Sequence, residues 1–126
     1  MSTDRFRVTE LPATATGGAR IHVIDLMLPE TLDSQEFDRL NDALLSVFHG
    51  HTSERWLLDL SHVRYMGSAV LGLMVNIRQQ IIKDQGRLVL CSLSQRLSEI
   101  FFATSLQRLF TISKNREEAL KAVAKR

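Results

Sequence analysis

Two short apolar runs, RWLLDL at 55–60 and RLVLC at 87–91, constrain this chain more than any other feature. Each is too short for a buried helix and almost continuous in apolar character. A strand covered on both faces reads this way, because neither row of side chains meets water. Between them, residues 68–84 place apolar side chains at helical spacing. Strand, helix, strand in that order makes a crossover unit, which favours parallel pairing with a right-handed connection.

The flanking segments extend this pattern. Residues 5–11 alternate weakly and read as a first strand, at a sheet edge. TATGG at 14–18 is a flexible turn. RIHVIDL at 20–26 is a stronger strand, with Ile21, Val23 and Asp25 on one face and His22, Ile24 and Leu26 on the other. The two strands form a hairpin. Pro29 then breaks the chain, and a helix follows over 33–48 with Phe37, Leu40, Leu44, Val47 and Phe48 at helical spacing and Gly50 as a stop.

In the helix at 68–84, Val70, Leu71, Met74, Val75, Ile77, Ile81 and Ile82 fill one broad arc, opposite Gly72, Asn76, Gln79, Gln80 and Lys83. Residues 94–104 form a third helix and 110–112 a short strand. Asn115 with Glu118 matches a capping box that opens a last helix carrying Ala119, Leu120 and Val123. The expected fold is α/β: one domain over 1–126, residues 1–4 a flexible tail, about five strands in a mixed sheet and four helices, in the order β-β-α-β-α-β-α-β-α.

Composition narrows the function classes. A formal net charge of +2, with basic residues spread along the chain, lacks the clustered basic face of nucleic-acid binders. A single cysteine, Cys91, excludes an intramolecular disulfide, and its place in an apolar strand makes it a core residue. The polar start MSTDRFRVTE is not a secretory signal, and the longest strongly apolar run, 69–75, is too short to span a bilayer. The expected location is the cytoplasm, with no membrane or nucleic-acid partner. No phosphate-cradling glycine motif occurs. His49-Gly50-His51 is a weak metal signal because zinc sites need three or four ligands, so no metal site and no cofactor are expected. Asp59, Ser61 and His62 have the residue types of a hydrolytic triad without an oriented base, so no catalytic residues and no enzyme are expected.

The stretch WLLDLSHVRYMGSAVLGLMV, followed by QGRLVLCSL and LQRLFTI, resembles the STAS family, the anti-sigma-factor antagonist domains of bacteria. The resemblance covers nearly the whole chain. In the family pattern an apolar strand ends in Asp-Leu/Phe-Ser, an aromatic or apolar pair follows, and Asp-Ser-Ser-Gly-Leu opens a helix. Asp59, Ser61, Tyr65, Met66, Ser68 and Leu71 match that pattern. Gly67 stands in place of its Asp, Ala69 in place of the second serine, the usual phosphate acceptor, and Val70 in place of the glycine.

The resemblance implies a non-enzymatic interaction module of a partner-switching pathway that binds an anti-sigma factor or a related ATPase-fold serine kinase. The surface expected to dock is the corner from Met66 to Leu71, with Asp25, Tyr65, Met66, Gly67, Ser68, Ala69, Gly72 and Asn76 as partner-binding residues. Ser68 is the remaining phosphoacceptor candidate. It is also a natural N-cap, its oxygen accepting from the Leu71 N–H. A phosphate there suits a helix N-terminus, and its added charge can eject a partner. Glu30 and Asp33 lie where acidic residues of the family help contact the partner, and Asp33 also suits the positive end of a helix dipole. Alternative functions are a constitutive scaffold without phosphorylation, and a small-ligand or nucleotide sensor. A homodimer is compatible with the sequence.

Overall fold

The computed structural model describes residues 4–13 and 20–125. The turn expected at 14–18 and the first three residues of the expected tail lie outside the described residues. Five strands form one sheet: β1 (Phe6–Leu11), β2 (Ile21–Met27), β3 (Arg55–His62), β4 (Arg87–Cys91) and β5 (Thr111–Ser113), in spatial order β1-β2-β3-β4-β5. β1 pairs antiparallel with β2, and every later neighbour is parallel. The helices are α1 (Ser34–Phe48), α2 (Ser68–Lys83), α3 (Gln95–Ala103) and α4 (Arg116–Ala124), and a 3-10 turn spans Leu106–Arg108. The expected class and element order hold.

The sheet has two covered faces, which explains why β3 and β4 read as continuous apolar runs. One face carries Ile24, Leu26, Trp56, Leu58, Leu60 and Leu90 and packs against α1, α2 and α3 through Leu40, Leu44, Phe48, Leu73, Met74, Ile77, Leu97 and Phe101. The other carries Ile21, Val23, Leu57, Val89 and Cys91 and is covered by Ala119 and Val123 of α4. The face split expected for β2 is therefore the observed one.

The α2 stripe differs from the expected arc. Leu73 is buried at 1% exposure, whereas Ile82 is 49% exposed and Leu71 and Val75 are only partly covered. At 3.6 residues per turn, Leu71, Val75 and Ile82 lie about 100–140° round the helix from Val70, and Leu73 only about 60°. The stripe that meets the sheet is narrower than the arc.

Local signals set the helix ends. Asp33 caps α1: its carboxylate accepts from Glu36 N–H at 2.7 Å, and the Glu36 side chain returns a bond to Asp33 N–H. The Glu36 N–H bond leads the causes that hold the Asp33 carboxyl below the ordinary aspartate value. Ser94 and Asn115 cap α3 and α4 through Leu97 and Glu118 N–H. The tight turn from α2 into β4 requires Gly86, where a Cβ would stand 2.8 Å from Glu54 O. Among the described residues no helix is long and apolar enough to cross a membrane.

Candidate functional site

Parallel strands end together, and the helices that follow them begin there. The C-terminal ends of β2 and β3 thus bring the start of α1 and the start of α2 to one rim of the sheet. Between them lies a half-open groove of about 220 Å³. Leu28, Leu32 and Phe37 form one side, and Tyr65, Gly67, Ala69 and Val70 the other. Arg96 of α3 ties the two sides: its guanidinium lies 4.9 Å over the Tyr65 ring and 3.1 Å from Glu30 Oε1.

The first residue of α2 is Ser68, but it is not the cap. Gly67 holds the cap position, extended at φ −77° and ψ 175°, and its carbonyl accepts from Leu71 N–H at 3.0 Å. No side chain caps the helix. This corrects the expected Ser68 cap: the helix starts one residue earlier than the serine preference suggests. Ser68 and Ala69 are exposed, and Gly72 and Asn76 continue the exposed row one and two turns along. These four partner-binding candidates share one accessible face. Gly67 and Tyr65 are half-buried at its margin.

Two candidates fall outside that face. Met66 is 2% exposed and belongs to the main core, so its side chain fixes the loop from beneath and presents nothing to a partner. Asp25 lies opposite Asp59 in the β2–β3 register, and both carboxylates are held by Arg116 at the start of α4. Arg116 Nε donates to Asp59 Oδ2 at 3.0 Å, and its terminal nitrogen donates to Asp25 Oδ1. Ser61 N–H donates to the other Asp59 oxygen at 2.9 Å. Burial pushes the Asp59 carboxyl up, but the bonds from Ser61 and then Arg116 outweigh it and hold the group below the ordinary aspartate value. Asp59 is thus a structural anchor for the strand end and the loop. Neighbouring Cys91 is buried, and desolvation pushes its thiol up to about 11.

Sequence reasoning missed Arg116 and Arg96. They act across 57–91 and 31–66 residues of chain, and nothing local marks them.

A family model described as the STAS domain matches residues 14–119. The chain belongs to the STAS domain family. This STAS domain is 34% identical over 68 residues to BtrV of Bordetella bronchiseptica, a protein assigned as an anti-sigma factor antagonist. The match spans 54% of this chain and 59% of BtrV. Among solved structures it is similar to an anti-sigma-factor antagonist STAS domain protein from Planctomyces limnophilus, at 27% identity and a TM-score of 0.77, over 95% of this chain and 98% of that one. It also shares its fold with the Bacillus cell fate determinant SpoIIAA in the phosphorylated form, at 18% identity and a TM-score of 0.62, over 94% and 98% of the two chains.

Proposed function

We propose that this STAS domain is a non-catalytic interaction module of a partner-switching pathway, docking an anti-sigma factor or a related ATPase-fold serine kinase through the start of α2. The observation that carries the reading is the exposed row Ser68, Ala69, Gly72 and Asn76. It is uncharged and low in profile, and it borders a half-open apolar groove. Names carried by relatives support the pathway: BtrV is assigned as an anti-sigma factor antagonist, and SpoIIAA has a phosphorylated form.

Ser68 is the switch in this reading. Its hydroxyl has no capping duty, and the first N–H groups of α2 have no side-chain acceptor. A phosphate on Ser68 can accept from those N–H groups while adding about −1.5 to −2 charges to a neutral face. A second reading, constitutive docking, is favoured by Ala69, which puts a methyl group where the family pattern has its acceptor hydroxyl.

The test is capture from the native host, followed by incubation of the chain with the captured kinase and ATP. Intact mass should rise by one phosphate, S68A should abolish the gain, and S68D should weaken capture at least about tenfold, or 1.4 kcal/mol. No mass gain with capture retained establishes the constitutive form. Capture that S68D and a bulky Gly72→Arg both leave unchanged overturns the docking face.

A further inference from the structure

At the opposite end of the sheet, where β2 and β3 begin, the structure gathers a second set of polar side chains. His22 stands beside Trp56 in the parallel ladder, and its side chain is only 5% exposed. Its Nε2 has no hydrogen-bond partner among the described residues. It lies 3.2 Å from Glu54 Oε2, but out of line for a ring N–H to donate. His51 Nδ1 lies 3.7 Å from the other Glu54 oxygen. The two imidazoles meet edge to face, with centroids 5.4 Å apart. One donor atom from each of His22, His51 and Glu54 lies within 4.8 Å of the others. A buried polar atom without a partner is uncommon and calls for a reason.

We propose that His22, His51 and Glu54 bind one divalent transition-metal ion of the zinc class. Two imidazoles and one carboxylate suit zinc, cobalt or nickel, whereas magnesium and calcium prefer all-oxygen shells. Bonds of about 2.0–2.2 Å in a tetrahedral site hold ligand atoms roughly 3.3–3.6 Å apart. His22 Nε2 lies 3.2 Å from Glu54 Oε2 and His51 Nδ1 3.7 Å from Glu54 Oε1, and with all three donors within 4.8 Å of one another a small closing movement brings them to that spacing. Three protein ligands leave a fourth position for water. The Glu54 and His51 side chains are 22% and 39% exposed, so an ion can enter from solvent.

The local fold supports this use. The loop after α1 turns through left-handed backbone at Gly50 and Ser53, which carries His51 and Glu54 to the same side of β2. α1 ends at Phe48, which packs on Trp56, so the negative end of its dipole lies near this region and favours a cation. Trp56 stacks on His22 with centroids 4.3 Å apart and meets His51 edge-on at 5.4 Å, while Phe48 packs against its ring. These rings form a dry wall behind the donors. His49, the nearer neighbour of His51 in sequence, instead lines a surface depression with Asp42, Leu45, Ser46 and Gln80.

Trp56 is the only tryptophan of the chain and touches two of the three ligands, so its emission reports the site directly. The experiment titrates the untagged, metal-stripped full chain with Co²⁺ and follows Trp56 fluorescence and the visible cobalt spectrum. Saturable quenching at one equivalent, reversal by Zn²⁺ and a tetrahedral cobalt band are expected. At hundredfold excess over Kd, Zn²⁺ should raise Tm by on the order of 10 °C. H51A and E54Q should each weaken binding at least about tenfold, while H49A leaves it unchanged. Equal shifts with Mg²⁺ or Ca²⁺ overturn the metal class. No saturable quenching by 1 mM Co²⁺ (on the order of the weakest specific metal sites), or H51A and E54Q binding as the wild type does, overturns the site.

Discussion

Replacing Arg116 with alanine should cost this domain about 2 kcal/mol at neutral pH, and the Asp59 share of that cost should disappear in acid. Arg116 is the shared partner of Asp25 and Asp59, which stand opposite each other on adjacent strands. Its loss removes one charge-assisted hydrogen bond from each carboxylate, contacts worth about 1.5–3 kcal/mol apiece in a closed site. The Arg116 side chain is 44% exposed, so solvent screening brings the combined effect well below the sum of the two, to about 2 kcal/mol. Asp59 keeps its bond from Ser61 N–H, which limits the damage further. A carboxyl whose pKa is depressed by folding adds stability above its unfolded pKa and loses it as pH falls through the folded value. Asp59 is depressed below its ordinary 3.8 in part by Arg116. The gap between wild type and R116A should therefore be full at pH 7 and narrow, by the Asp59 share, as the pH drops below about 4. Urea unfolding from about pH 7 to about pH 3, with unchanged m-values, measures it. A gap that stays constant over that range, or one under about 0.5 kcal/mol at pH 7, refutes the reasoning.

Gly72→Ala should raise stability by about 0.5–1 kcal/mol, because glycine in a helix interior costs that much and a Cβ there meets nothing within 4 Å. The same methyl group should weaken partner capture if the low profile of α2 serves docking, so Tm and capture should move in opposite directions. Cys91, buried with its thiol pushed up to about 11, should resist a thiol reagent at pH 8 in the native state and react at the rate of a free cysteine once the chain is unfolded in urea. Fast native labelling contradicts the burial.

The frame of this fold is legible in sequence because burial on both faces leaves a local mark. RWLLDL and RLVLC became β3 and β4, with neighbours on either side in the sheet. The cap signal at Asn115 is equally local, and Asn115 caps α4 through Glu118 N–H, whereas the reciprocal box stands at Asp33, which the sequence reading places inside α1 as a partner of its dipole. Periodicity gives the α2 stripe a direction without the width of its contact, and Ile82 lies past the edge. Serine preference puts the cap of α2 one residue late, because it is a weaker guide than the backbone turn that Gly67 makes. The Arg116 clamp, the Arg96 tie and the His22–His51–Glu54 cluster join residues from distant segments, and no window of sequence contains them.

The three departures from the STAS signature do not carry equal weight once they are placed in the structure. Val70 is 8% exposed and sits in the inward stripe of α2, so a valine in place of the glycine fills core space and leaves the exposed row untouched. Gly67 lies at the cap, where an aspartate would offer a side-chain acceptor to the first N–H groups, and glycine leaves those donors open. Ala69 alone alters the exposed row, by removing a hydroxyl next to Ser68. An uncapped helix start with one exposed serine favours a phosphate on that serine more than a capped start would, because the N–H groups are not already committed. The change at Gly67 thus offsets part of what the change at Ala69 removes. In the proposed switch, the phosphate is then carried by Ser68, one residue before the position where the family pattern has its acceptor.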